Sequence, residues 1–250
     1  MKKKSLLEPD KWDYLNQHFG LLEKAKTSQF YSVSALDLLD VDICTDYLNR
    51  LSLLLGSPSN MITASQFLKR YAFLTAATLL YAMSVYNRGL DFSIKNCSLE
   101  SSLDFPRLDH VSLIHVDAVI PVTNIRQVWR DAVIQALFAE NIGKIIQVMS
   151  KVAKVPKLIL WENVAIRVFS LYEKRISETE DQEVQARAQA DFQYLVHHAS
   201  GALFGEKRNP ISRFYSKPTL SSNVNSPIRV RKTCCFYYDI VEYCSNCPKI

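Results

Sequence analysis

The sequence predicts an α+β protein, mostly helical: a helical body, a small antiparallel sheet in the middle of the chain, and an irregular C-terminal segment holding four of the six cysteines. Three observations carry that reading. Apolar residues recur every three or four positions over long stretches, the period of a helix with one buried face. Between Leu90 and Val122 this gives way to Val- and Ile-rich runs punctuated by Pro106 and Pro121, the texture of strands. After Gly201 come Gly, Pro, Ser and Asn, and then the cysteines. With 250 residues and 48% hydrophobic content there is ample material for a buried core.

Trp12, Leu15, Phe19 and Leu22 mark a first helix, and Asp37 to Leu55 a second, ended by Gly56-Ser57-Pro58-Ser59-Asn60. Thr63 or Ser65 would cap the next, which runs through Tyr71–Tyr86 until Asn87-Arg88-Gly89 stops it. The apolar run Tyr71–Val85 is 15 residues, short of the roughly 20 a membrane span needs, so it reads as a core helix. The N-terminus starts like a signal peptide, but Glu8, Asp10, Lys11 and Asp13 follow Leu6 and Leu7 and leave no apolar region. A cytoplasmic protein with at most peripheral membrane association is expected.

Two to four antiparallel strands are expected between Leu90 and Val122. His110, His115 and Asp117 fall there; strand residues two apart share a face without any ligand role, and packing is the reading preferred for them. Helix resumes at Asn124, with a break near Gly143, and Pro156 opens the next helix, whose face is Leu158, Trp161, Ala165, Val168, Tyr172 and Ile176. Val184, Ala188, Phe192 and Leu195 mark a further helix carrying His197 and His198, both read as structural. Residues 205–228 read as a long irregular crossing segment, whose ordering must be offset by a function. The chain thus divides into a helical and strand region at 1–122, a helical region at 123–204 and a basic tail at 205–250, folded as one compact unit.

Charge is unevenly placed. Eight of the 30 basic residues lie after Gly205 against three acids, so the whole excess of +5 sits beside the cysteines, and such a patch suits an anionic ligand. The sequence holds no G-x-S-x-G or Gly-rich phosphate loop, and only six glycines from which to build one.

Cys234 and Cys235 are adjacent; eight residues later Cys244 and Cys247 stand as Cys-x-x-Cys before Pro248. Four thiols so gathered point to a metal centre, and tetrahedral sulfur suits zinc or an iron–sulfur cluster, with redox thiols a third reading. Adjacent cysteines diverge, which is awkward for a single zinc ion and easier for two iron ions. Arg231 and Lys232 before the pair, with Phe236, Tyr237, Tyr238 and Tyr243 in the spacer, would offset the charge of a cluster and restrict water.

The run R-K-T-C-C-F-Y-Y from Arg231, followed by C-S-N-C-P from Cys244, resembles the C-terminal signature of the FhuF-like ferric-siderophore reductases, and W-E-N-V-A at Trp161–Ala165 resembles a Trp-x-Asn-x-Ala segment of the same family. The stronger match covers about twenty residues. The spacer is shorter than the family's founding pattern, a change that a surface turn absorbs. The resemblance implies a [2Fe–2S] cluster on Cys234, Cys235, Cys244 and Cys247 and one-electron reduction of a ferric siderophore to release Fe(II). Its substrate would be an anionic hydroxamate, citrate or catecholate chelate docked on Arg229, Arg231, Lys232 and Arg213. The electron would come from a ferredoxin, flavodoxin or flavin reductase, with no nucleic acid as partner. Trp161 and Asn163 are assigned to packing and hydrogen bonding. The competing reading is a non-enzymatic helical interaction protein with a structural zinc knuckle and a basic tail; a cluster-bearing sensor is a third.

Overall fold

Pro9 sits at the first position of α1 (Pro9–Phe19), where its missing N–H costs nothing, and Gly20 ends that helix in the left-handed conformation. A Cβ on Gly20 would stand 2.6 Å from the Asp109 carbonyl, so only glycine lets α1 turn directly into β2 (Leu21–Glu23) against the neighbouring strand. The computed structural model that shows this describes residues 3–24, 30–102, 108–121, 126–221 and 224–249.

Asp40 caps α2 (Val41–Leu55) by accepting the amides of Asp42 and Ile43. Ser59, rather than Thr63 or Ser65, caps α3 (Asn60–Ala72), which continues through a π turn at Phe73–Ala77 into α4 (Thr78–Ser84). Thr63 and Ser65 lie buried inside α3. Asn87, with φ 54°, follows the helix end.

Among the described residues the strands form two sheets and a hairpin. The first sheet is antiparallel, in the order β1 (Lys3–Ser5), β7 (Ala118–Ile120), β4 (Gly89–Leu90). In the second, β2 is followed by β6 (Leu108–Leu113), β5 (Cys97–Ser102) and β3 (Phe30–Ser34). The expectation of antiparallel pairing holds except between β2 and β6, which run parallel. The region before residue 60, read as helical pieces, also contributes β1, β2 and β3. Pro106 and Asn124, where helix was expected to resume, lie outside the described residues.

α5 (Arg126–Leu137) and α6 (Gly143–Ala153) are joined by a π turn at Phe138–Ile142, so no break occurs at Gly143. Instead, a Cβ there would meet the Phe204 carbonyl at 3.0 Å, and the glycine admits that close approach. Arg126–Ala153 is long and apolar enough, by length and composition, to cross a membrane, and most of its apolar stretch is buried within the fold.

α7 (Lys157–Ser170) starts after Pro156 and runs into a π turn at Leu171–Ile176. Next come α8 (Gln182–Gln193), capped by Asp181, and a π turn at Tyr194–His198. The crossing segment is less irregular than expected: it holds α9 (Pro210–Phe214), capped by Asn209, and a hairpin of β8 (Thr219–Ser221) and β9 (Val224–Ile228).

Buried apolar side chains from Leu7 to Phe214 form one continuous cluster. Within it α3 packs along α7, and their polar positions, Ser65 to Lys69 and Glu162 to Arg167, form the floor on which the cysteine segment lies.

Candidate metal centre

The tail reaches this floor through two arginines. Arg229, 6% exposed, grips both carboxylate oxygens of Glu173 at 2.7 Å and lies over the rings of Phe169 and Tyr215. Arg231, 4% exposed, donates to Asn163 Oδ1 at 2.7 Å and stands 3.6 Å from the Glu162 carboxylate. Glu162 accepts the amides of Lys232 at 2.6 Å and Thr233 at 2.8 Å, and the Thr233 hydroxyl as well. A buried carboxylate with this many donors fixes the backbone entering the vicinal cysteines. On the other side, Ser65 Oγ and Gln66 Nε2 both donate to the Cys235 carbonyl, at 2.9 and 2.5 Å. Asn163 ties the two halves together by donating to Ser65 as well.

Between the cysteine pairs the chain turns tightly. Phe236 adopts the left-handed conformation (φ 61°), which places its amide 3.3 Å from Cys234 Sγ. The Cys247 amide closes the second turn on the Cys244 carbonyl at 2.9 Å, and the Lys249 amide points at Cys247 Sγ at 3.4 Å. Asn246 fastens this turn by donating to the Arg229 carbonyl and accepting at its own carbonyl from the Arg231 amide.

All four thiols are free, and Cys235 Sγ lies 3.6 Å from Cys244 Sγ. Two thiolates on one tetrahedral ion, at metal–sulfur distances near 2.3 Å, stand about 3.7 Å apart, so this pair has a spacing at which thiolates bind a metal, zinc or iron. Among the described residues no three His, Cys, Asp or Glu side chains gather round one point. Four cysteine sulfurs are a donor set that serves a tetrahedral zinc ion and a two-iron cluster alike. The backbone amides of Phe236 and Lys249 supply N–H···S contacts to Cys234 and Cys247 of the kind that tune such groups. The donor set therefore fits a [2Fe–2S] cluster.

Electrostatics point the same way. Cys235 is held below the usual thiol range, first by the Cys244 S–H and against its own burial, with Arg231, the Tyr237 amide and Lys69 assisting. Lys69, whose ammonium stacks 4.3 Å over Tyr237, is pulled down by burial and up by Cys235. Arg167 is pulled down by burial and then by Arg70 and Arg231. Lys69, Arg167 and Arg231 line a hollow of about 300 Å³ that opens beside Tyr243 and Cys244, with Glu242 at its edge. Cationic side chains so crowded favour an anionic group between them, and a two-iron, two-sulfide unit on four thiolates is a dianion when oxidised.

The remaining sequence candidates separate. The expectation that Arg229 and Arg231 dock a chelate is corrected: both are buried and their guanidinium groups are bound to the protein's own acceptors. Lys232 is exposed, its ammonium donating to the Arg213 carbonyl at 2.6 Å, and Arg213 is exposed as well. Trp161 and Asn163 do serve packing and hydrogen bonding, Trp161 donating to Glu206 at 3.1 Å. His197 and His198 are exposed on the π turn after α8, and His197 packs on Tyr215. Sequence reasoning missed Lys69, Arg167, Ser65 and Glu162. Only Glu162 carried a signal, as the second residue of the W-E-N-V-A segment.

The comparisons agree with this geometry. The family model described as ferric iron reductase FhuF-like transporter matches residues 65–219, and the one described as FhuF 2Fe-2S C-terminal domain matches residues 231–249. No curated protein matches. A solved structure, the aerobactin synthetase IucC from a hypervirulent pathotype of Klebsiella pneumoniae, shares the fold with a TM-score of 0.50 at 12% identity. The likeness covers 74% of this chain and 36% of that one, so the chain spans about a third of the synthetase. The zinc knuckle left open by the cysteine spacing is displaced by the match to a [2Fe–2S] domain over those cysteines. With a family model covering more than half its length, the chain belongs to the FhuF-like ferric iron reductase family and carries that family's [2Fe–2S] domain at its C-terminus.

Proposed function

We propose that the protein is a ferric-siderophore reductase acting in the cytoplasm, with Cys234, Cys235, Cys244 and Cys247 as the ligands of its [2Fe–2S] cluster. When bound, that group supplies one electron at a time, the number that converts one chelated Fe(III) to Fe(II), which hard oxygen ligands hold more weakly. The observation that carries the reading is the position of the cysteine segment. Cys234 and Cys244 are only partly buried, and the hollow beside Cys244 is open to solvent and lined with cations. A purely structural centre gains nothing from that exposure, whereas a centre exchanging electrons with another molecule requires it.

The chain's own residues hold the cysteine turns, through Glu162, Asn163 and Ser65, and keep the surroundings positive, through Lys69, Arg167 and Arg231. A donor of ferredoxin, flavodoxin or flavin-reductase type would meet the rim formed by Val241 and the stacked rings of Tyr238 and Tyr243, with Lys249 beside them. Small, partly apolar contacts of this kind suit transient electron-transfer partners. The buried free thiols of Cys44 and Cys97 agree with a reducing compartment.

The test is anaerobic mixing of pre-reduced holoprotein with a ferric chelate while a ferrous-specific chromophore captures the product. One Fe(II) should appear per oxidised protein, in step with recovery of the visible spectrum. A spectrum that recovers without Fe(II), or no recovery with any ferric chelate, sinks the proposal.

A further inference from the structure

We propose that the ferric chelate docks in the cleft between the start of α7 and the Glu206–Phe214 segment, and that this cleft selects chelates of net negative charge; the inference rests on the reductase reading above. The cleft measures about 890 Å³, within the range of small-molecule sites. Leu158, Trp161, Pro210 and Phe214 give it apolar walls, and Lys157, Lys207, Arg208 and Arg213 give it charge.

Those four cations are exposed, and among the described residues none of them forms an ion pair. By contrast several cations that fasten the fold are paired: Arg229 with Glu173, Arg126 and Arg130 with Asp191, Arg88 with Glu8. The one acid in the lining, Glu206, is held by the Trp161 indole N–H. Four unpaired cations round one concavity raise the local concentration of an anion and favour its binding.

The wall that presents Lys207 and Arg208 is built to keep its place. A Cβ on Gly201 would lie 2.5 Å from the Glu206 carbonyl and 2.6 Å from the Arg208 amide, so the turn at 206–208 closes down on a glycine. Asn209 then donates to the Leu195 and Ala199 carbonyls at 2.8 and 3.0 Å while capping α9.

The cleft also adjoins the cysteine segment. Lys232, two residues before Cys234, bonds to the Arg213 carbonyl, and Glu162, which holds the amides of Lys232 and Thr233, follows Trp161 of the cleft wall. Trp161 and Arg167 are six residues apart on α7, about 9 Å along its axis. Cleft, cysteine turns and the hollow beside Cys244 therefore lie along one helix.

Gallium(III) complexes bind as ferric ones do but are not reduced, which separates docking from electron transfer. Calorimetric titration of the oxidised holoprotein should show binding of anionic gallium(III) dicitrate and at least about ten-fold weaker binding of the cationic gallium(III) desferrioxamine complex. K207E/R208E on one wall and K157E on the other should each weaken the dicitrate about ten-fold or more, with the visible spectrum of the cluster unchanged. Absence of gallium dicitrate binding, equal affinity in both variants, or preference for the cationic complex overturns the assignment. Wild-type protein that binds gallium dicitrate yet fails to reduce ferric dicitrate keeps this site and removes the reductase reading. Reduction of ferric dicitrate with half-saturation unchanged in both variants does the reverse.

Discussion

Glu162 shows how much of a metal segment is decided by one side chain outside it. Its carboxylate, 1% exposed, takes two amides and a hydroxyl from Lys232 and Thr233 and faces Arg231. In E162Q the amide group would turn an N–H toward backbone donors and leave Arg231 without its carboxylate. A loss of about 3 kcal/mol in urea unfolding is expected, with iron and acid-labile sulfide per chain reduced in proportion. Full cluster content and an unshifted urea midpoint in E162Q would mean that the entry turn is held by something else. The contrast with the cysteines explains what was legible. Their spacing is local, so four residues within fourteen positions declare a metal site by themselves. Glu162, 70 positions away, stands in the W-E-N-V-A segment without any sign of its role, and Ser65, 170 positions away, and Lys69 beside it have no pattern in the sequence to connect them with the tail. Arg229 and Arg231 were misjudged for a related reason: a basic residue in a sequence reads as surface charge until its acceptor is located, and Glu173 and Asn163 lie on another helix.

At the scale of elements, helices with several turns of apolar stripe were readable and short strands were not. β1 and β2, which lie ahead of the stretch read as strands, are three residues each, too short to display the alternation that identifies a strand. The misplaced break at Gly143 has a different cause. Glycine there answers the approach of the Phe204 carbonyl, and the preceding π turn re-aims the helix without ending it. The joints between helices are ionic in one place: Asp191 on α8, fully buried, accepts both guanidinium nitrogens of Arg126 at 2.6 and 2.7 Å, Arg130 at 3.2 Å and Ser84 Oγ at 3.0 Å. This carboxylate joins α4, α5 and α8. D191N leaves two guanidinium groups in partial burial without an anion, and should cost roughly 3–5 kcal/mol in denaturant unfolding. The same variant should retain native-level cluster absorbance in buffer, because the hub lies outside the α3–α7 floor. Joint loss of stability and of colour in buffer would show that the two regions are not independent.

The whole molecule divides its stability unevenly between body and tail. Among the described residues the continuous apolar cluster runs from Leu7 to Phe214; beyond it, the tail packs Phe236 against that cluster, buries Cys235 and Cys247, and is fastened by polar clasps and by the Arg229 guanidinium over Phe169 and Tyr215. Hydrophobic burial holds a fold together more strongly than polar contacts do, so the body should not depend on the iron. The tail has two parts. Arg229 to Thr233 is tied by Glu173, Glu162 and Asn163, whereas Tyr237 to Cys247 is closed by short turns and by whatever joins the four sulfurs. Stripping iron from the reduced protein with a chelator should therefore leave the far-ultraviolet circular dichroism nearly unchanged. It should split the tail in hydrogen exchange: the Lys232 and Thr233 amides, bonded to Glu162, stay protected, while those of Val241 and Cys247 exchange faster. Cationic repulsion pushes in the same direction, since Lys69, Arg167 and Arg231 lose the anion that offsets them once the cluster leaves. If helical signal falls together with iron content, the cysteine segment is part of the folding core rather than a fitting laid upon it, and the apolar cluster that ends at Phe214 is insufficient to hold the body without its metal.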